Sequence, residues 1–405
     1  MEKESNSEAT IQHNKILREQ NDLLRGQIDL LRGQNDLLRG QNDLLRGQND
    51  LLRGQNSLSQ QATVCRNENE REIYIDNIDR DEVRSGFLVT SHRKKLWNVQ
   101  INLLQEFARI CKKYNLRWFA IGGTLIGAAR HGGFIPWDFD VDVIMFRPDY
   151  EKFRKIIAEE VKEPYFADNW YDYLLESEGA SLANVKGNVQ FITKKQEKTH
   201  SERWLTQWPS IRLRDNRTTM IEMPDRNLVN QGIWIDIFPM DPLPPFADKK
   251  NATNFEIAKV LLLATATPAK IRKAMQKKID LLIDYGEMEK LLSKPYRTRG
   301  KIFDDFMNRN FFMSEHVGDL RDYCLTNNKK FYQSKDFQNV IQLPFEKIKV
   351  PAPAGYDSIL TDFYGDWHKL LVAKPHVLFH STDIPYKKYF QQVNSNKSAA
   401  IAEFF

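Results

Sequence analysis

Three carboxylates fall within five residues, Asp138-Phe139-Asp140-Val141-Asp142, and the apolar run Val143-Ile144-Met145-Phe146 follows at once. In extended chain the two-residue period sets Asp138, Asp140 and Asp142 on one face. Like charges that close repel unless a cation lies between them. Two carboxylates completed by phosphate oxygens and water suit Mg²⁺ (or Mn²⁺). Asp140 and Asp142 are therefore the expected metal ligands; the competing reading is a solvated acidic loop that caps a helix. Gly122-Gly123-Thr124 precedes them, closing a short apolar run. Two glycines between a strand and a helix let backbone N–H groups approach a phosphate, helped by the helix N-terminus. Arg130 and His131 lie between the two elements, placed either to meet phosphate oxygens or to cap a helix C-terminus.

A third carboxylate is needed if the site also activates a hydroxyl. Asp236 sits inside Ile233-Trp234-Ile235-Asp236-Ile237-Phe238, where a charge must be paired or coordinated. It is the candidate base, with a structural ion pair to an arginine as the alternative. Ile211-Arg212-Leu213-Arg214-Asp215 alternates like a strand with one polar face. Arg212 and Arg214, with Arg217, offer a positive wall for a diphosphate; a solvated sheet edge is the competing role.

The elements that must hold these residues follow from pattern. Trp97, Ile101, Leu104, Ala108 and Cys111 recur at helical spacing. Residues 117–121 read as a strand, Thr124 as the cap of a second helix, residues 141–146 as a buried strand and Pro148 as the start of a third helix. This helix–strand–helix–strand–helix order predicts an α/β (α+β) core with a mixed sheet flanked by helices. Domain boundaries are expected at residues 1–60 (repeat), 61–90 (polar linker), 91–245 (catalytic core) and 246–405 (mostly helical additions).

The repeat is Gln-Asn-Asp-Leu-Leu-Arg-Gly, five copies from Gln20 to Gly54, one Asn being replaced by Ile28. Leucines returning every seven residues make a coiled-coil stripe, and Asp22 and Arg25 form an i,i+3 pair repeated in each unit. Each unit also carries a glycine that costs a helix about 1 kcal/mol. An oligomerisation stalk and a loosely ordered extension are both consistent with this pattern.

Composition narrows the class. The 405 residues are 41% hydrophobic and 28% charged, so wholesale disorder is excluded. The longest unbroken apolar run, residues 260–264, is far short of a bilayer span. Neither a basic start nor an apolar stretch of a secretory signal is visible. Three scattered cysteines, Cys65, Cys111 and Cys324, suit a reducing cytoplasm. The net charge of +5 is compatible with anionic substrates and too mild for a nucleic-acid binder. Lys270, Arg272, Lys273, Lys277 and Lys278 form a basic stretch. It reads as a solvated helix face or as a peripheral contact with an anionic inner-membrane surface.

Residues 122–138, Asp140-Val141-Asp142, Arg147-Pro148-Asp149-Tyr150 and residues 232–241 together closely resemble the LicD family; Tyr364-Gly365-Asp366 resembles its C-terminal signature more loosely. The resemblance covers residues 96–245 strongly and leaves the repeat outside. It implies a nucleotidyltransferase-like core and divalent-metal catalysis. The implied reaction moves phosphocholine from CDP-choline onto a surface glycan or glycolipid such as lipopolysaccharide. Ribitol or glycerol phosphate is the alternative cargo, as in fukutin-like proteins, and a non-catalytic coiled-coil assembly protein the alternative class. The resemblance aligns Asp140 and Asp142 with the family's metal-binding Asp-x-Asp. Phe139 stands where the family usually has an aspartate, and Trp367-His368 replaces its usual proline pair. For a choline cargo, the faces of Trp137, Trp234 and Phe238 would surround the quaternary ammonium, core packing being their competing role. A homo-oligomer through the repeat is the expected assembly.

Overall fold

The computed structural model describes residues 71–169, 173–175, 179, 181, 190–192, 210–221, 230–265, 285–325, 329–370 and 379–389. The heptad repeat, Cys65 and the basic stretch 270–278 lie outside them.

The long helix α1 (Ser91–Lys113) follows from its sequence pattern: Thr90 accepts the Arg93 N–H at 3.2 Å as N-cap, and Lys112 and Lys113 sit in the last turn. One face buries Trp97, Ile101, Leu104 and Phe107. Residues 71–90, whose polarity suggested a linker, contain the hairpin β1 (Glu82–Arg84) and β2 (Phe87–Val89) and the buried Ile75. Their backbone is fastened to α1, with Glu72 N–H on Asn102 Oδ1 at 3.1 Å and Tyr74 N–H on Asn98 Oδ1 at 2.8 Å. Polar composition misled because those contacts are hydrogen bonds, which hydropathy does not register.

After α1 come β3 (Phe119–Ala120), the short helix α2 (Gly122–Ile126) running into a π-helical turn (Gly127–His131), then β4 (Asp142–Phe146) and α3 (Arg147–Glu160). Next are β5 (Tyr165–Asp168), a parallel pair β6 (Tyr173–Leu175) and β7 (Gln190–Ile192), β8 (Ile211–Asp215), β9 (Thr219–Ile221) and the eleven-residue β10 (Ile233–Leu243). α4 (Lys249–Ala264), α5 (Tyr285–Leu292) and α6 (Tyr296–Arg309) lead to β11 (His316–Gly318), α7 (Leu320–Leu325) and β12 (Tyr332–Gln333). The hairpin β13 (Val340–Phe345) and β14 (Ile348–Pro353), α8 (Tyr356–Tyr364) and β15 (Phe379–Ser381) close the described chain. The C-terminal half, expected to be mostly helical, thus also supplies strands.

The central mixed sheet runs β12-β11-β10-β4-β3, with β8 beside β10 and β5 beside β8. β4 and β10 are parallel; the other pairs are antiparallel. Because β10 is long, one edge carries β8 along residues 233–237 and β11 along 241–243, while β4 pairs with 236–240. Along β4, Val143 and Met145 join the core under α1, and Ile144 and Phe146 join a second core with Leu125, Trp137, Ile359 and Leu360. Both faces are covered, as a continuous apolar run requires. A third cluster packs Leu243 against α4 and α6 through Leu262, Phe303 and Met307. No helix of the described residues is long and apolar enough to cross a membrane.

One ion-pair network pins the sheet to α3. Arg147, fully buried, forks onto Asp241 with Nε–Oδ1 2.7 Å and Nη2–Oδ2 2.6 Å, and reaches Glu151 at 3.3 Å. Both residues belong to the segments that carry the family resemblance, and here each is the other's partner. Removing one side of a buried pair leaves an uncompensated charge. Asp241→Ala is expected to cost about 3–5 kcal/mol in denaturant unfolding, and Arg147→Lys, which loses the fork, to lower stability in the same direction.

Candidate active site

The acidic segment is held by its backbone. A turn closes with the Asp138 N–H on Ile135 O at 2.9 Å. Asp138 O then accepts from Arg93 Nη1 at 2.8 Å and Trp97 Nε1 at 3.0 Å, and Phe139 O accepts from Gln100 Nε2 at 2.7 Å. All three donors come from α1. The helix therefore grips the carbonyl oxygens of the segment. Only Asp142 is in a strand; Asp138 and Asp140 lie in the turn before it, so the three are gathered by a loop and not by a strand's alternation. Phe139 packs against the core under α1 and anchors the loop there.

The glycine pair abuts these carboxylates. Gly122 has φ +58°, in the left-handed region, and a Cβ there would lie 3.3 Å from Asp142 Oδ2. At Gly123 a Cβ would come within 2.3 Å of Asp138 Oδ2, closer than any real contact. Thr124 is a buried residue inside α2, not its cap: its Oγ1 accepts the Asp142 N–H at 2.9 Å and locks the strand to the turn. The space that two side chains would occupy is taken up by acid.

Strand register extends the cluster. Asp142 is paired with Asp236, Asp236 with Arg212 and Arg212 with Asp168, a row of four charged residues across β4, β10, β8 and β5. Directly opposed residues share a face of a sheet, so Asp142 and Asp236 lie side by side. Asp236 is oriented by Arg212 Nε on Oδ1 at 2.7 Å and Trp234 Nε1 on Oδ2 at 2.9 Å. Arg214 Nε reaches Asp168 Oδ2 at 2.9 Å. The five residues of β8 are all buried, not half-exposed, and buried charge must pair. Arg212 and Arg214 accordingly spend these donors on acids within the sheet. Their guanidinium carbons also stand 4.5 and 5.1 Å from the Trp234 ring, so that ring already faces two cations.

Electrostatics record the crowding. Burial, then the Asp142 and Asp138 carboxylates, push Asp140 up to about 10. Burial and the Asp236 and Asp138 charges raise Asp142 well above the carboxylate range, Arg212 opposing. Both side chains still keep some surface open to solvent. An all-carboxylate set that keeps some solvent access, with Asp140 and Asp142 raised by the acids around them, fits a hard divalent cation such as Mg²⁺ or Mn²⁺. Among the described residues no three or more His, Cys, Asp or Glu side chains enclose a ready-made ion site. A Mg²⁺ site of one or two carboxylates, finished by phosphate and water, needs no such cage.

Other expected site residues are placed differently. Arg130 Nη1 donates to Trp367 O at 2.6 Å and Lys369 O at 2.9 Å, and its Nε to His131 Nε2 at 3.0 Å, which makes it a clamp on a late segment of chain. Burial, then the Arg130 and Arg84 charges, bring His131 down to about 4, leaving it neutral at pH 7. Trp137 is buried, edge-on to Phe87 and His131, and Phe238 packs on the same core. Glu346, in the β13–β14 turn at φ +52°, accepts from Phe134 N–H at 3.2 Å and Arg84 Nη1 at 2.7 Å and steadies the loop from the far side. Burial, then the charges of Asp142, Asp138 and Asp140, hold the Tyr364 phenol up to about 12. No spacing could have paired a tyrosine with acids more than two hundred residues earlier.

Residues 115–248 match the LicD/FKTN/FKRP nucleotidyltransferase domain. The chain is 28% identical over 282 residues to the lipopolysaccharide cholinephosphotransferase LicD of Haemophilus influenzae, covering 67% of this chain and 89% of that protein. It is 42% identical over 53 residues to the ribitol 5-phosphate transferase FKRP of Homo sapiens, a stretch that is 12% of this chain and 11% of that protein.

Raised carboxyl pKa values contribute stability that is present below the unfolded value near 4 and lost as pH climbs toward about 10. Metal-free Asp140→Asn should therefore melt higher than metal-free wild type at pH 8, with the gap closing near pH 4. Mg²⁺ should raise the wild-type melting temperature more at pH 8 than at pH 5. Calorimetric scans of both proteins at the two pH values, with and without Mg²⁺, read both effects.

Proposed function

We propose that this chain, whose residues 115–248 match the LicD/FKTN/FKRP nucleotidyltransferase domain, is a LicD-family transferase that moves a phospho-alcohol from a CDP-alcohol donor onto a hydroxyl of a cell-surface glycan or glycolipid. Phosphocholine is the cargo we favour and lipopolysaccharide the acceptor, following the relative aligned over most of its length. Ribitol phosphate is the second reading, carried by the short stretch of higher identity to a ribitol 5-phosphate transferase. The observation that carries the proposal is the crowding of Asp138 and Asp142 against the Gly122–Gly123 turn, with Asp140 and Asp236 close enough to act on them. A cytoplasmic placement, with peripheral contact at the inner membrane where glycolipid acceptors reside, belongs to the same reading.

Asp140 and Asp142 would hold Mg²⁺ or Mn²⁺, which when bound neutralises charge on the donor diphosphate. The residues then divide the work. The Gly122–Gly123 turn, with no side chains of its own, lets the Asp138 and Asp142 carboxylates lie against its backbone, where a cation and the donor diphosphate would come together. Asp236, held by Arg212 and Trp234, takes the proton of the attacking hydroxyl. The hydroxyl oxygen bonds to the phosphorus bearing the alcohol, the bond to the bridging oxygen breaks, and CMP departs with that electron pair. Arg130 and α1 act at one remove by fixing the loops around the site.

Purified protein with Mg²⁺ and CDP-choline, CDP-ribitol or CDP-glycerol should release CMP and not pyrophosphate, and a chelator should stop it. Asp140→Ala and Asp142→Ala should abolish release while circular dichroism stays that of the wild type; turnover retained by either variant would contradict the scheme. Asp236→Asn should lower kcat by about 10²–10⁴-fold, the range of a lost general base, with Mg²⁺ binding preserved.

A further inference from the structure

α8 reaches the site from the far end of the chain. Its Ile359 and Leu360 are buried in the same apolar cluster as Ile121, Leu125 and Ile144, the residues beneath the glycine turn and β4. The helix ends at Tyr364, because Gly365 follows at φ +68°. The turn beyond is tied twice: Trp367 Nε1 donates to Asp357 Oδ1 at 3.1 Å, within the same segment, and Arg130 holds the Trp367 and Lys369 carbonyls. Arg130 is the last residue but one of the helical stretch that starts at Gly122. The helical stretch that begins at the glycine turn therefore holds the chain just beyond Tyr364.

The Tyr364 ring is not core. It is 45% exposed, while its neighbour Phe363 is stacked on Tyr332 at 4.6 Å. Lys330 Nζ donates to Phe363 O at 2.7 Å and stands 5.8 Å from the Tyr364 ring. Two of the three acids that act on the phenol, Asp142 and Asp138, are those that abut the glycine turn. A phosphate brought to that turn meets a wall of negative charge. A phenol is neutral at pH 7 and carries one O–H donor, so it can serve a phosphate oxygen without adding to the charge.

We propose that Tyr364 is a substrate-contacting residue, its phenol O–H donating to a non-bridging oxygen of the phosphate that is transferred at the Asp138–Asp140–Asp142 cluster. This rests on the transferase reading above. Arg130 is then a positioning residue that acts through the Trp367–Lys369 turn.

The test compares wild type with Tyr364→Phe, which keeps the ring and deletes only the donor. CMP release is measured with Mg²⁺ and each of the three CDP-alcohols, Mg²⁺-dependent binding of CDP by calorimetry, and folding by thermal melting. Losing one donor to a reacting phosphate should lower kcat by about 10–100-fold, at or below the loss seen for a single oxyanion donor. KM for the donor, CDP binding and the melting temperature should stay near wild type. A variant whose kcat lies within about twofold of wild type (well under 1 kcal/mol) overturns the assignment and leaves the transferase reading standing. Wild type that neither releases CMP nor binds CDP overturns the transferase reading, and the role of Tyr364 with it.

Discussion

Mutual repulsion among Asp138, Asp140, Asp142 and Asp236 is the constraint on which the rest of the site depends. Four carboxylates sharing so little space cost free energy in the absence of a counter-charge, and an arrangement so costly persists only where its surroundings over-determine it. Those surroundings are visible. α1 fixes the backbone of residues 138 and 139 through Arg93, Trp97 and Gln100. Thr124 pins the Asp142 N–H, and Arg212 and Trp234 hold Asp236. Phe139, partly buried against the core under α1, anchors the loop.

The glycines are the complement of this crowding. Gly122 accepts a backbone conformation that side chains resist, and Gly123 lies where a single methyl would collide with Asp138. Their requirement is thus steric as well as conformational, and it comes from the acids themselves. A substitution at either position pushes on a carboxylate before it touches any ligand.

Charge is handled in two ways along the same sheet. Near Asp241 at the end of β10, Arg147, Glu151, Arg154 and Asp304 form a closed, buried network that joins α3, α6 and the sheet. At its start, the row Asp168–Arg212–Asp236–Asp142 is balanced toward β5 and left with excess negative charge toward β4. The closed network serves stability. The open end of the row faces the glycine turn, where a cation and a phosphate would supply what is missing.

Much of the local plan was legible in the amino-acid sequence: the helical spacing from Trp97 to Cys111, the glycine turn after a strand, the buried runs at 143–146 and 233–238, and the acids beside them. These are readable because burial imposes a period on neighbouring residues and because an acid in an apolar run demands a partner. Which partner was decided by the tertiary structure. Register set Asp236 between Asp142 and Arg212, so an arginine expected to meet phosphate was committed to an acid. Packing turned Phe139 inward, tied residues 71–75 to α1, set Arg130 on carbonyls of residues 367 and 369, and carried Tyr364 to the acids. Contacts between residues far apart in the chain leave no period and no composition to read; they exist only once the sheet has ordered its strands and the late helices have found the remaining apolar surface.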